Sequence, residues 1–223
     1  MSASNLCIIF NLDSIIGAAC AISAQKRNYT IKKINYKKNY SNTININKKI
    51  KIFEKELSFL DKQEYDIVTL IYIPKLNEKD NTNLIPLSIA FSNVTKNCQE
   101  CRIVCIGSVE GYDFNKIEKQ NQNNMKEILS KSNDLQFHGC INSTTKFLAV
   151  NLANYNVRVN AAIFGPIEGI SSLNDIKKYK KKSLAKLPIS MASISNSIDI
   201  FLDPNNVYMT GQVIHFDGGV NIW

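Results

Sequence analysis

No long hydrophobic run is present in this chain. Its longest apolar stretches, "LCIIF" and "IIGAACAI", are separated by Asn11 and Asp13, so neither approaches the roughly 18–20 residues that a membrane-crossing helix needs. A soluble protein with no membrane partner is expected. A basic segment ahead of the first apolar run is also missing, and Asp13 interrupts that run, which argues against a secretory signal. Arginine is scarce: only Arg27, Arg102 and Arg158 occur among 27 basic residues, so a net charge of +8 is carried by lysine. Lysine, asparagine and isoleucine rising together point to composition bias, and nucleic acid is not expected as a partner. The dense run "KKYKKKSLAK" at 177–186 reads as a solvated helix face.

Histidine is scarcer still, with only His138 and His215. That limits what the six cysteines can do. Cys98-x-x-Cys101, with Cys105 beyond it, has no nearby histidine to complete a zinc or iron–sulfur set, so no metal site is expected. A thioredoxin-like pair is the other reading of that spacing. Without a secretory signal the cysteines imply free thiols in the cytoplasm or another reducing compartment.

What the chain does have is a regular alternation of short β-rich runs with helix-length segments. The 223 residues suit one domain, and the pattern is that of βαβ units on a mainly parallel sheet, an α/β Rossmann-like fold in three layers. Strands are expected at 5–10, 29–36, 66–73, 102–108 and 157–164, with "GQVIHFDGG" closing the sheet. Helices are expected at 14–27, 48–63, within 83–96, and from about 143 to 154. Residues 112–138 are polar enough to be a surface insertion or mobile loop.

Two C-terminal motifs carry a family resemblance. "STTKFLAVNLANYNVRVNAAIFGPI" at 143–167 sets a lysine-bearing helix before an Arg-Val-Asn strand and a Gly-Pro turn, and "YMTGQVIHFDGG" at 208–219 follows in the same order. The chain resembles the short-chain dehydrogenase/reductase family, most closely its 3-oxoacyl-carrier-protein reductase branch. The ending "DGGVNI" is also similar to the enoyl-carrier-protein reductase branch, which places a tyrosine further upstream of the lysine; residues 113–145 contain no tyrosine.

The resemblance implies hydride transfer from NADH or NADPH to a carbonyl, with a tyrosine as proton donor and a lysine four residues later. On that pattern Lys146 matches the lysine and Asn142 falls where the tyrosine belongs. An amide cannot deliver a proton at neutral pH. Ser108 matches the serine that polarises the carbonyl, and Asn83 matches the asparagine of a water relay. Tyr112 and Lys116 share the same spacing but follow Ser108 too closely to replace that pair. His138 is the other conceivable acid, since its ordinary pKa lies near 6.5.

The cofactor positions that the resemblance implies are altered as well. In the glycine-rich turn the three glycine places fall on Asn11, Ile15 and Gly17, and Asp13 adds negative charge where phosphates would lie. Gly165 keeps the Gly-Pro turn, while Gly169 stands where a threonine would hold the nicotinamide carboxamide. Only about eleven residues separate the second strand from the next helix, too few for a full adenosine pocket. The expectation is a catalytically degenerate reductase fold with no catalytic residues and no cofactor, acting as a structural or regulatory subunit. It would assemble as a homo-oligomer, or with an active reductase, through its C-terminal region. The alternative is an active NAD(P)H-dependent reductase of carbonyls or 3-oxoacyl thioesters with a substituted donor.

Overall fold

A computed structural model describes residues 4–34, 45–62, 64–74, 83–109 and 125–222, with the side chains at 61–62 and 125–137 left aside. Among the described residues, the strands β1 (Asn5–Phe10), β2 (Thr30–Ile34), β3 (Ile67–Tyr72), β4 (Glu100–Ser108), β5 (Val157–Phe164) and β6 (Val213–Phe216) form one sheet. Its order is β2-β1-β3-β4-β5-β6, and every neighbouring pair is parallel. The helices are α1 (Ile15–Lys26), α2 (Ile46–Leu57), α3 (Leu84–Val94), α4 (Met125–Leu152), α5 (Leu173–Lys182) and α6 (Met191–Leu202).

Alternation along each strand divides the core into two. Leu6, Ile8 and Phe10 of β1 point to one face, where they meet Phe53 of α2, Leu87 and Phe91 of α3, and Ile141 and Leu148 of α4. Cys7 and Ile9 point to the other, against Ala19, Cys20 and Ala24 of α1 and Ile194, Ile198 and Phe201 of α6. Phe10 stacks on Tyr72 of β3 at 5.1 Å between ring centroids, which ties the ends of the two adjacent strands. β3 is buried along its whole length, as a central strand covered on both faces must be.

The expected α/β fold with a parallel sheet, and the succession of its strands along the chain, are found. Helix α4 is the main departure. Its start at Met125 lies well before the expected 143, so residues 125–138 are helix and not a loop; residues 112–124 lie outside the described residues, as do Tyr112 and Lys116. The segment from Met125 to Gln136 intersperses lysine, serine and acidic residues among its apolar ones, which hides an apolar period, yet it holds no proline to stop a helix.

Two arginines hold α6, one from the sheet and one from the end of α1. Arg102, buried in β4, donates to the carbonyls of Phe201 at 3.0 Å, Asp203 at 2.8 Å and Pro204 at 3.3 Å, so it caps the C-terminus of α6, and it pairs with Glu100. Arg27, just past α1, makes a two-pronged contact with Asp199 of α6, Nε to Oδ1 at 2.8 Å and Nη2 to Oδ2 at 2.6 Å.

Candidate functional site

The direction in which strands are added reverses at β1 and β3: the first crossover carries the chain to β2 on one side of β1, and later crossovers carry it to the other. In an open parallel sheet a crevice forms at such a point, beyond the carboxyl ends of the strands. A cavity of about 420 Å³ lies there. The turn after β1 contributes Asn11, Asp13 and Ile15, and the end of β3 contributes Ile73 and Pro74. Gly107 and Ser108 come from β4, Gly165 and Ile167 follow β5, and His138 reaches in from α4.

At the β1–α1 turn the sequence fills the places it would otherwise leave open. Asn11 holds the left-handed φ of 68° that a glycine would favour. Ser14 is the N-cap of α1: its Oγ accepts from Gly17 N–H at 3.0 Å and donates to the Asn11 carbonyl at 2.9 Å. A side chain on Gly17 would meet the Leu12 carbonyl oxygen and come within 2.7 Å of the Asn11 oxygen, so this glycine serves the tight turn itself. Ile15, first residue of α1, is 39% exposed at the cavity wall. Asp13 pairs with Lys33 of β2 at 2.7 Å.

At the β4 end of the cavity the structure brings Ser108 together with His138. The Ser108 backbone N–H donates to His138 Nδ1 at 3.1 Å. The imidazole is buried, and burial pushes its pKa from 6.5 down to about 4, so it is neutral at physiological pH. The Nδ1 acceptor places the remaining proton on Nε2.

Asn142 and Lys146 are not part of this cleft. Both are exposed, because the buried stripe of α4 runs through His138, Ile141, Thr145, Leu148 and Leu152 at helical spacing and leaves them on the flank. The assignment of a vestigial donor and lysine to these two positions is therefore corrected. The side chain that α4 brings to the site is His138, eight residues and about 12 Å of helix before Lys146. Four residues before His138 is Asp134, within α4, whose side chain lies outside the described residues. The apolar period 141, 145, 148, 152, extended one step back, was the sequence signal that would have found His138.

Asn83 is also away from the cleft. It is buried at the N-cap of α3, where its Oδ1 accepts from the buried Lys49 Nζ at 3.1 Å, joining α2 to α3. Gly165 has a packing role: a side chain there would come within 2.9 Å of the Tyr179 hydroxyl, which donates to the Asp217 carbonyl at 2.6 Å and docks α5 on the turn after β6. Gly169 has a left-handed φ of 79° and open space around it.

The best-matched C-terminal motifs bond to one another. Asn160 donates from Nδ2 to the Met209 carbonyl at 2.9 Å, and its Oδ1 accepts from Gln212 N–H at 3.0 Å. Val159 N–H donates to Thr210 Oγ1 at 3.2 Å, Gly211 N–H donates to the Val159 carbonyl at 2.7 Å, and Arg158 binds Glu100 and the Val207 carbonyl. Among the described residues no cluster of three histidine, cysteine or acidic side chains could hold a metal ion, and no helix is long and apolar enough to cross a membrane.

Comparison with known proteins gives the same fold. A family model described as enoyl-(acyl carrier protein) reductase matches residues 138–221. The 3-oxoacyl-[acyl-carrier-protein] reductase of Buchnera aphidicola is 32% identical over 124 residues, 53% of this chain and 45% of the relative. A peroxisomal 2,4-dienoyl-CoA reductase of Saccharomyces cerevisiae is 36% identical over 86 residues, 36% of this chain and 30% of the relative. The chain thus spans less than half the length of these relatives in the matched region. Among solved structures, a short-chain dehydrogenase from Leptospira borgpetersenii with bound NAD+ aligns with a TM-score of 0.66 at 18% identity, covering 98% of this chain and 93% of that one. The TT0495 protein from Thermus thermophilus aligns with a TM-score of 0.72 at 14% identity, covering 99% of this chain and all of that one.

Proposed function

We propose, for a chain that belongs to the short-chain dehydrogenase/reductase family, that it is a catalytically degenerate member serving as a structural or regulatory partner of an active reductase. One observation carries this reading: the α4 side chain beside Ser108 is the neutral imidazole of His138, where the family's mechanism calls for a phenol held by a cationic lysine. Neither the residue four before His138, Asp134, nor Asn142 supplies a phenol. Burial disfavours a charge at His138, so it offers no cation to a ribose.

The turn at the phosphate end does not fit a dinucleotide either. Ser14 already satisfies a backbone N–H of α1, and the Ile15 side chain and the Asp13 carboxylate, paired with Lys33, line the same cavity. These residues occupy a backbone donor and set an apolar side chain and a carboxylate where a pyrophosphate needs free donors and positive charge. In place of chemistry the chain offers surfaces. Phe147 and Val150 stand 56% and 76% exposed on α4, and β6 is an edge strand followed by the exposed Ile222.

Thermal melting with NADH and NADPH at millimolar concentration tests the reading. A specific cofactor at a hundred times its dissociation constant adds roughly 2.7 kcal/mol of stability; no saturable rise is expected. A clear rise, with oxidation of NADPH by a short 3-oxoacyl thioester, supports the second reading, an active reductase in which His138 replaces the donor. That reading draws on the contact between His138 and Ser108.

A further inference from the structure

The turn from α3 into β4 carries two cysteines that the cleft leaves unused. Thr95, the buried C-cap of α3, organises both: its carbonyl accepts from the Cys98 N–H at 3.0 Å and from the Cys101 thiol at 3.7 Å. The turn is held from the next strand over. The Asn156 side chain donates to the Gln99 carbonyl, and Cys101 N–H donates to the Asn156 carbonyl at 3.3 Å. Cys98 is half-buried and Cys101 wholly buried. Of the other cysteines, Cys7, Cys20 and Cys105 are buried and Cys140 is exposed.

We propose that Cys98 and Cys101 form a redox-active dithiol, with Cys98 the attacking thiol, Cys101 the resolving thiol, and a low-molecular-weight disulfide as co-reactant. The Cys98 thiolate attacks one sulfur of the small disulfide. A Cys98–sulfur bond forms, the original sulfur–sulfur bond breaks, and one small thiolate leaves and takes up a proton from water. The Cys101 thiol then gives its proton to solvent and attacks Cys98 Sγ, expelling the second small thiolate. Two protein thiols are oxidised to one disulfide, and one small disulfide is reduced to two thiols.

Exposure sets the order, since a reagent can reach the half-buried Cys98 and cannot reach Cys101. Acidity sets the same order. The neighbouring Cys101 thiol lowers the Cys98 pKa below its ordinary value, and the Cys98 thiol followed by burial raises that of Cys101. Because the Cys98 N–H and the Cys101 thiol bond to the same Thr95 carbonyl, the two residues meet across one short turn.

The full chain carrying Cys140→Ser, which removes the other accessible thiol, is the protein to test. Limiting iodoacetamide should label Cys98 ahead of every other cysteine. Oxidised glutathione should yield a product two hydrogens lighter, free of attached glutathione, with its disulfide mapped to Cys98–Cys101. Adding Cys101→Ser should halt the reaction at a glutathione adduct on Cys98, and Cys98→Ser should abolish both products. Serine keeps a donor for the Thr95 carbonyl, and an unchanged melting temperature shows that each variant is folded. A glutathione adduct that persists on Cys98 with Cys101 present overturns the proposal. So does an unreactive Cys98 under conditions that modify Cys140 in the unsubstituted chain.

Discussion

Acid should destabilise this protein through His138 in a manner that can be calculated. The group's pKa is 6.5 unfolded and about 4 folded, because burial opposes the charged form. The unfolded chain therefore binds more protons between these values. The neutral imidazole contributes its full stability above pH 6.5, and that contribution is lost as pH falls towards 4. At 1.36 kcal/mol per pH unit the loss is about 1.4 kcal/mol by pH 5.5 and approaches about 3 kcal/mol below pH 4. Carboxylates with lowered pKa, Asp199 beside Arg27 among them, lose stability in the same direction on acidification. Urea unfolding of the wild type and of His138→Gln, compared from pH 7.5 to 4.5, separates the two contributions, because glutamine can still accept from Ser108 N–H but does not titrate. The difference between the two proteins should shrink by about 2.5 kcal/mol over that range. The chain has only two histidines, so the imidazole Cε1–H signals can also be followed by NMR. Two curves with midpoints between 6 and 7, or parallel stability profiles, would refute the buried neutral imidazole and the reading of the cleft built on it.

Three further outcomes are expected. Gly17→Ala should cost about 1–3 kcal/mol, as overpacking does, because the new methyl strikes backbone carbonyls that have no room to move; thermal or urea unfolding measures it. Arg102→Met should cost about 1–3 kcal/mol, since the carbonyls at the end of α6 lose their donors while Glu100 keeps Arg158 as a charge partner; hydrogen exchange should show the loss concentrated at the end of α6. Asn142→Tyr should leave NADPH oxidation with a 3-oxoacyl thioester at background, because position 142 is exposed on the flank of α4 outside the cleft; turnover well above the parent protein would contradict that placement.

Strand positions were legible because buried parallel strands are short apolar runs with abrupt ends, such as "NLCIIF" and "IVTLIY", and burial on both faces writes itself into composition. The start of α4 was not, because its first turns are polar and a helix with little apolar period looks like a loop. The turn at 11–17 could be read, since glycine places are defined by backbone demands within seven residues. The catalytic register could not be read from a tyrosine–lysine spacing alone. Counting back from Lys146 selected a solvent-facing flank, whereas the buried period of the same helix selects His138. Arg102 and Tyr179 were invisible to local reasoning because their partners lie about a hundred and about forty residues away.

The parts of the chain that most resemble an active reductase also differ in kind from the parts that do not. Arg158, Val159 and Asn160 bind the segment 207–212, and Gly165 makes room for Tyr179, which holds the turn after β6. Each of these contacts is satisfied inside the chain, so fold stability and the sheet edge at β6 account for them with no ligand. The positions that would meet a ligand from outside are another matter: Ile15 and Asp13 face the cavity at the phosphate end, and a neutral His138 faces it at the catalytic end. Selection for hydride transfer would retain both groups, because a hydride donor must be bound and aligned before the sheet's integrity is of use to catalysis. Selection for assembly retains only the first. The division is what the proposed docking role predicts, and under that proposal substitutions at Asn160 or Tyr179 should disturb stability and association, while substitutions at Asp13 or Ile15 should leave both unchanged.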